Sequence, residues 1–502
     1  MHLRMTDCFG RSFRSVSALF VCFGLVWASP RLRAESSDAK PHVVFIMVDD
    51  MGYGDPQCYN PASKIGTPNI DLLAAEGLSF MDAHAPGPLC HMSRYGLMTG
   101  RFPFRTDVGA WRKRPLIQEG ESTIASLCRQ YGYQTSMVGK WHCGFDESGG
   151  YESRLSGGPY DRGFDSFFGL RASTDIPPYF YIRNAKAVEP PTNTIGSNFS
   201  QDGWTRIQGA FWREGGIAPN LDLQAVTPRL TQEAVSVIES HELDDSKPLM
   251  LYLAYPSPHT PWLPSEEFRG KSQVGMFGDF VMMVDDEIGK VVESLRGRDM
   301  LDNTLLIFTS DNGPVWYEKD VERYHHDSAG GLRGMKADAW EAGHRMPFIV
   351  RWPAQVEAGA KSDRTICFTD VFATLAQLLG HDLKAEEAPD SISFLDEMLG
   401  VGKVAPRPPI VMSPGAGESM MMIRSGKWKL IKGLGSGGFS QPKRVKSGDG
   451  DPQGQLYNLE MDQGEKNNLY ATEPETVARL LNEMKVIIAS NESRSISGAS
   501  AN

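Results

Sequence analysis

Val43-Val44-Phe45-Ile46-Met47-Val48 is an unbroken apolar run rich in β-branched residues, entered from Pro41-His42 and left through Asp49. A run without alternation predicts a strand covered on both faces, as in a parallel sheet. Leu249–Tyr255 and Leu305–Thr309 read the same way, and Tyr133–Val138 is a further expected strand. Between these runs the period changes. Thr67-Pro68 offers an N-cap and a first-turn proline for a helix carrying Ile70, Leu73 and Ala74 and ended by Gly77. Ser122 is expected to cap a second helix, with Ile124, Leu127, Cys128 and Tyr131 on its faces and Gly132 at its end. Val281, Val284, Ile288, Val291 and Leu295 recur at roughly helical spacing. Buried strands alternating with amphipathic helices predict an α/β fold, a doubly wound and mostly parallel sheet over residues 41–385.

Past residue 390 the runs shorten. Pro409–Ser413, Met420–Arg424, Trp428–Lys432 and Leu456–Leu459 predict a smaller C-terminal antiparallel-sheet domain over 386–489, packed by a helix from Glu473 to Ile488. Residues 490–502 are Ser-rich and read as a disordered tail. Residues 151–230, rich in Gly, Pro and aromatics, read as long loops over the sheet edge. Most of their aromatics (Tyr179, Phe180, Tyr181, Trp204, Phe211 and Trp212) are expected to form a loop core, with a sugar-binding wall as the alternative.

The first residues follow a different pattern. Arg4, Arg11 and Arg14 precede an apolar stretch from Val16 to Trp27, then small residues, so residues 1–34 read as a signal peptide cleaved after Ala28 or Ala34. That stretch is too short for a comfortable membrane span, and no later one is longer. A secreted or periplasmic protein is expected. Its net charge of −11, without a long basic run, argues against nucleic-acid binding. Of seven cysteines, five follow the signal: Cys58, Cys90, Cys128, Cys143 and Cys367. Five is odd, so one is unpaired or modified. If it is Cys90, the other four allow two disulfides of open pairing.

Chemistry collects just after the predicted strands. Asp49-Asp50 follows one, Lys140 and His142 another, His259 a third and Asp311-Asn312 a fourth. Ligands of open α/β sheets bind at such strand ends. Adjacent buried carboxylates need a neutralising partner, and an all-oxygen set favours a hard cation, Ca²⁺ first and Mg²⁺ second. The run Leu89-Cys90-His91-Met92-Ser93-Arg94, continuing to Thr99-Gly100-Arg101, puts a thiol and a guanidinium one helical turn apart. Gly331-Leu332-Arg333-Gly334-Met335-Lys336 adds a lysine in a glycine-rich loop.

Together these stretches resemble the sulfatase family of the alkaline-phosphatase superfamily, in its arylsulfatase-like branch. The resemblance takes in Thr67-Pro68-Asn69-Ile70-Asp71, the Cys90 run, Gly139-Lys140-Trp141-His142, Ser310-Asp311-Asn312-Gly313 and Leu456-Tyr457-Asn458-Leu459. Met92 departs from it, standing where the family has Pro or Ala. The resemblance implies an alkaline-phosphatase-like fold and an enzyme that hydrolyses sulfate esters. It implies that Asp49, Asp50, Asp311 and Asn312, with Cys90, hold Ca²⁺. It further implies that a formylglycine-generating or other sulfatase-maturing enzyme oxidises Cys90 to formylglycine. The hydrated aldehyde attacks sulfur, giving a covalent sulfo-enzyme. Arg94, Lys140 and Lys336 stabilise the sulfuryl oxygens, His259 protonates the leaving alcohol and His142 deprotonates the second hydroxyl. A sulfated carbohydrate is the expected substrate. His325 and His326 are candidates to contact it, and Arg112, within Trp111-Arg112-Lys113-Arg114, is a candidate for a second anionic group. Two alternatives stay open: phosphate or phosphonate monoester hydrolysis, and a non-catalytic binder of sulfated glycans.

Overall fold

A computed structural model describes residues 40–243, 247–402, 405–414 and 417–495. The expected signal peptide lies outside the described residues. Among those described, no helix is long and apolar enough to cross a membrane.

The strands are β1 His42–Val48, β2 Leu78–His84, β3 Gln134–Lys140, β4 Ser166–Leu170, β5 Ile182–Arg183, β6 Lys186–Ala187, β7 Asn193–Ile195 and β8 Gly215–Ile217. They continue with β9 Leu249–Ala254, β10 Thr304–Ser310, β11 Arg345–Arg351, β12 Ala360–Cys367, β13 Ile410–Met412, β14 Met422–Ser425, β15 Trp428–Ile431 and β16 Gln455–Asn458. The helices are α1 Pro68–Ala75, α2 Cys90–Thr99, α3 Ile124–Gln130, α4 Val226–Ser240, α5 Gly275–Gly297, α6 Glu318–Tyr324, α7 Asp370–Leu379, α8 Leu395–Met398 and α9 Pro474–Ala489.

Ten strands form the main sheet in the order β12-β2-β11-β10-β1-β9-β3-β4-β5-β6. From β12 to β4 every strand except β11 runs the same way. Helices α1, α4 and α5 pack on one another, and α2, α3 and α7 form a second group. Layers on both sides explain why the central residues of β1, β9 and β10 are apolar without alternation: Val44, Ile46, Leu251 and Leu306 are all 0% exposed. The remaining apolar strands form a four-stranded antiparallel sheet, β13-β14-β15-β16, against which α9 packs. This is the predicted fold class, a mostly parallel α/β sheet with a small antiparallel one.

Several local expectations need correction. Thr123, one residue after Ser122, caps α3: its hydroxyl accepts from the Ser126 amide at 3.0 Å in a capping box. The region read as loops contains β4 to β8 and the start of α4. The described part of the tail is held at its start, where Ser493 is 2% exposed and its hydroxyl donates to Asp390 at 2.8 Å. The two disulfides do not form: the described cysteines are free. Cys128 on α3, Cys143 in the loop after β3 and Cys367 at the end of β12 are small buried hydrophobes.

Candidate active site

Strands β10, β1, β9 and β3 are neighbours in the sheet and parallel, so their carboxyl ends lie side by side. Asp311 follows β10, Asp49 follows β1, His259 lies beyond β9, and Lys140 ends β3. The backbone beyond these ends is bent sharply. Asp50 has φ +65° and His142 φ +57°, left-handed values that are uncommon for residues with a Cβ and that cluster at functional sites. Gly139, at φ +115°, lets β3 lie against β9: a Cβ there would stand 1.9 Å from the Ala254 carbonyl oxygen.

Cys90 is the first residue of α2, whose partial positive end therefore faces this edge. Its Sγ lies 3.5 Å from Asp49 Oδ1. Burial, with Asp311 and Asp49 nearby, pushes the thiol well above its ordinary range. One turn on, Arg94 donates through Nε and Nη2 to Asp311 Oδ2 at 3.0 and 2.7 Å. It also reaches Asp49 Oδ2 at 3.3 Å and the Lys140 carbonyl at 2.9 Å. Lys140 donates to Asp49 Oδ2 as well. Burial opposes ionisation of Asp49, yet Lys140, His259 and Arg94 hold its carboxyl far below the usual range. Asp311 is raised by burial and by Asp49, against the pull of Arg94. Lys336 and the Asn312 amide both donate to Asp50 Oδ1, each at 2.6 Å. Despite its burial, Lys336 is held charged by Asp50.

These residues suit a hard cation. Ligating atoms of Asp49, Asp50, Cys90 and His259 lie within 4.8 Å of one another. Asn312 Oδ1 is buried and accepts no hydrogen bond, an oxygen left over for an ion. Asp311 Oδ1 is turned towards the same place, 3.4 Å from the Asp50 amide.

A cavity of about 250 Å³ opens over the cluster, its wall including Asp50, Cys90, His142, His259 and Lys336. Arg94 and Lys140 lie behind that wall, with their donors on Asp311 and Asp49. His259 Nδ1 is 2.6 Å from the Thr260 carbonyl, which can only accept, so Nδ1 carries the hydrogen. Its Nε2 then faces Asp50 Oδ2 at 3.6 Å. Both ring nitrogens of His142 are buried without a partner. Burial, then Lys140 and His91, hold that ring neutral.

His325 and His326 do not line the cavity. His325 is exposed at the end of α6, and His326 is buried with Nε2 2.8 Å from Asp55 Oδ1, fixing the loop after β1. Arg112 does line it. Of the loop aromatics, Phe211 reaches the wall, whereas Trp204 packs edge-on behind Trp262 with ring centres 4.9 Å apart. Ser173 and Asp175 also line the cavity and were not expected there. They follow β4, beside β3. The run Phe167-Phe168-Gly169-Leu170 before them was the available signal, masked by its glycine-rich surroundings.

The protein-family model described as Sulfatase matches residues 41–381. The N-acetylgalactosamine-6-O-sulfatase of Bacteroides thetaiotaomicron is 33% identical over 486 residues, 88% of this chain and 92% of that protein. Human arylsulfatase A is 31% identical over 454 residues, 86% of this chain and 83% of that protein. A solved B. thetaiotaomicron structure, titled for glycosaminoglycan metabolism, superposes with a TM-score of 0.78 at 31% identity, over 90% of this chain and all of that one, and shares its alkaline-phosphatase-like architecture. The strand-end residues fall within the matched stretch, and the chain accordingly belongs to the sulfatase family and is a sulfuric ester hydrolase.

Proposed function

We propose that the protein is exported and removes a sulfate ester from a carbohydrate, using a formylglycine made from Cys90. The observation that carries this reading is the meeting of three carboxylates, three cations and Cys90 beneath one cavity, from the ends of β1, β10 and β3, the start of α2 and the loop holding Lys336. The saccharide named for the bacterial relative and the signal-like first residues support the carbohydrate and the export.

Formylglycine at position 90 would supply a hydrated aldehyde as the nucleophile towards sulfur. Asp49, Asp50, Asp311 and Asn312 would hold Ca²⁺, which would supply Lewis-acid charge beside position 90. The chain's own groups do the rest. Lys336, charged and on the wall, donates to the sulfate oxygens. Arg94 and Lys140 hold Asp49 and Asp311 in a fixed orientation. His259 presents Nε2 towards the cluster and protonates the departing alcohol from that atom. His142, neutral and unpartnered, takes the proton from a hydroxyl at position 90.

The test has two parts on protein purified from its native host. Mass spectrometry of the peptide spanning Cys90 is expected to show the aldehyde or its hydrate, with partial conversion if Met92 weakens recognition. A panel of sulfated saccharides is expected to release sulfate faster than an aryl phosphate releases phosphate. A thiol in every molecule, or faster phosphate release, overturns the reading. Glycan binding without sulfate release overturns it as well.

A further inference from the structure

The charges on the cavity wall pair off with one exception. Lys336 lies 2.6 Å from Asp50, and Arg213 is bound to Asp175. Arg112 lines the same cavity and has no hydrogen-bond or ion-pair partner among the described residues. The side chain is exposed yet fixed. Its guanidinium lies over the Trp111 ring, 5.1 Å from the centroid, and that ring meets the His142 imidazole edge-on at 4.3 Å. Arg112 closes the short 3-10 turn Val108–Arg112, after which the Lys113 and Arg114 amides both return to the Ala110 carbonyl, at 2.8 and 3.0 Å. A stacked guanidinium keeps its in-plane donors available for a carboxylate or sulfate.

Lys336 and the two histidines already serve the scissile group, so the Arg112 cation is surplus to it. Nothing else on this wall neutralises it, in a chain whose net charge is −11. We infer that Arg112 takes a second anionic group of the substrate, a carboxylate or sulfate on the sugar next to the one bearing the scissile ester. The preferred substrate class is then a polyanionic glycan chain rather than an isolated sulfated sugar. This rests on the sulfated-carbohydrate reading above.

Two probes test it: N-acetylgalactosamine 6-sulfate, and a disaccharide joining a uronate to that same sulfated residue. Wild-type protein is expected to favour the disaccharide in kcat/KM. Arg112→Gln should lower kcat/KM on the disaccharide on the order of 5- to 20-fold and change the monosaccharide less than about twofold. Arg112→Lys, which keeps the charge and loses the fork, should fall between them. Equal losses on both probes, or no loss on the disaccharide, overturn the inference. If the wild type releases sulfate from neither probe nor from any saccharide of the panel above, the function reading is what has failed. Calorimetric binding of the two probes to wild type and Arg112→Gln then decides the Arg112 assignment, which equal affinities would overturn.

Discussion

The cluster at the ends of β1 and β10 and a second one between β2, β11 and the small sheet both bring carboxylates, histidine, lysine and arginine together. Asp82 and His84 lie on β2, Glu341 and His344 just before β11, Arg424 on β14 and Lys429 on β15, with Glu465 after β16. All of them are buried. Here too, ligating atoms of His84, Glu341 and His344 come within 4.8 Å of one another. Proximity of such atoms therefore does not mark a metal centre. What differs is what lies among them. In the second cluster it is an ammonium: Lys429 Nζ stands 3.1 Å from His344 Nε2, 3.0 Å from Glu341 and 2.9 Å from Glu465. The protons are then forced along a chain. Lys429 donates to His344 Nε2, so His344 Nδ1 carries hydrogen and donates to His84 Nδ1 at 3.0 Å. His84 Nε2 in turn donates to Asp82 at 2.9 Å. This chain joins the two sheets and no described cavity opens on it, whereas the first cluster, with Lys140 on Asp49 and Lys336 on Asp50, opens onto a cavity.

The sharpest way to break the comparison is to remove the centre of each cluster. Cys90→Ala should cut sulfate release on the order of 10⁴-fold or more while leaving the thermal midpoint nearly unchanged. A variant retaining a hundredth of the wild-type rate would place the nucleophile elsewhere. Lys429→Met should do the opposite, because it strands Glu341 and Glu465 without their cation. A loss of about 3–5 kcal/mol in stability is expected, read by denaturant titration, with kcat/KM of the folded protein within a few-fold of wild type. A smaller effect follows from the ion. Chelation should lower the midpoint by the equivalent of about 2–3 kcal/mol if the ion is normally near 100 times its Kd, and Ca²⁺ should restore it better than Mg²⁺. Elemental analysis should find one ion per chain, lost in Asp311→Ala and kept in His344→Asn. Loss of the ion in the second variant would erase the distinction between the clusters.

The two clusters also differed in how far the sequence exposed them. Asp49-Asp50 and Asp311-Asn312 stand out because charge directly follows a fully apolar run, and neighbouring parallel strands then bring those ends together. Cys90 at a helix start was legible from its spacing to Arg94 and from the family resemblance. The second cluster was not. Its members are scattered from Asp82 to Glu465, each alone among ordinary neighbours, and only tertiary packing assembles them. The strands that carry it are equally quiet: β2 holds Ser79, Asp82 and His84 among its apolar residues, so no continuous run announces it. Arg94 shows the limit inside the site itself, because residue type predicted its place in the cluster but not which carboxylates would take its donors. His326 shows another limit, since a histidine near a site and a histidine locking a loop look alike in sequence.

The smallest effect expected is a pair of opposite pH slopes in the second cluster. Burial, then Lys429, hold His344 well below its ordinary range, so it stays neutral in the folded protein. An unfolded histidine takes up its proton near about pH 6.5, so this group costs stability as pH falls below that value. Glu465 works in the other direction. Burial lifts it to about 7 against the pull of Lys429, with Glu341 adding to the rise. Between its unfolded value, about 4.5, and 7 the folded protein holds a proton that the unfolded chain has released, so this group gains stability as pH falls. The two slopes largely offset each other in the wild type. Removing one should unmask the other: on going from pH 7.5 to 5.5, His344→Asn should gain about 1 kcal/mol relative to wild type and Glu465→Gln should lose about as much. Thermal midpoints of the three proteins at both pH values are sufficient to see it. Relative shifts of the same sign would mean that His344 is not held neutral, or Glu465 not held protonated, by this buried environment.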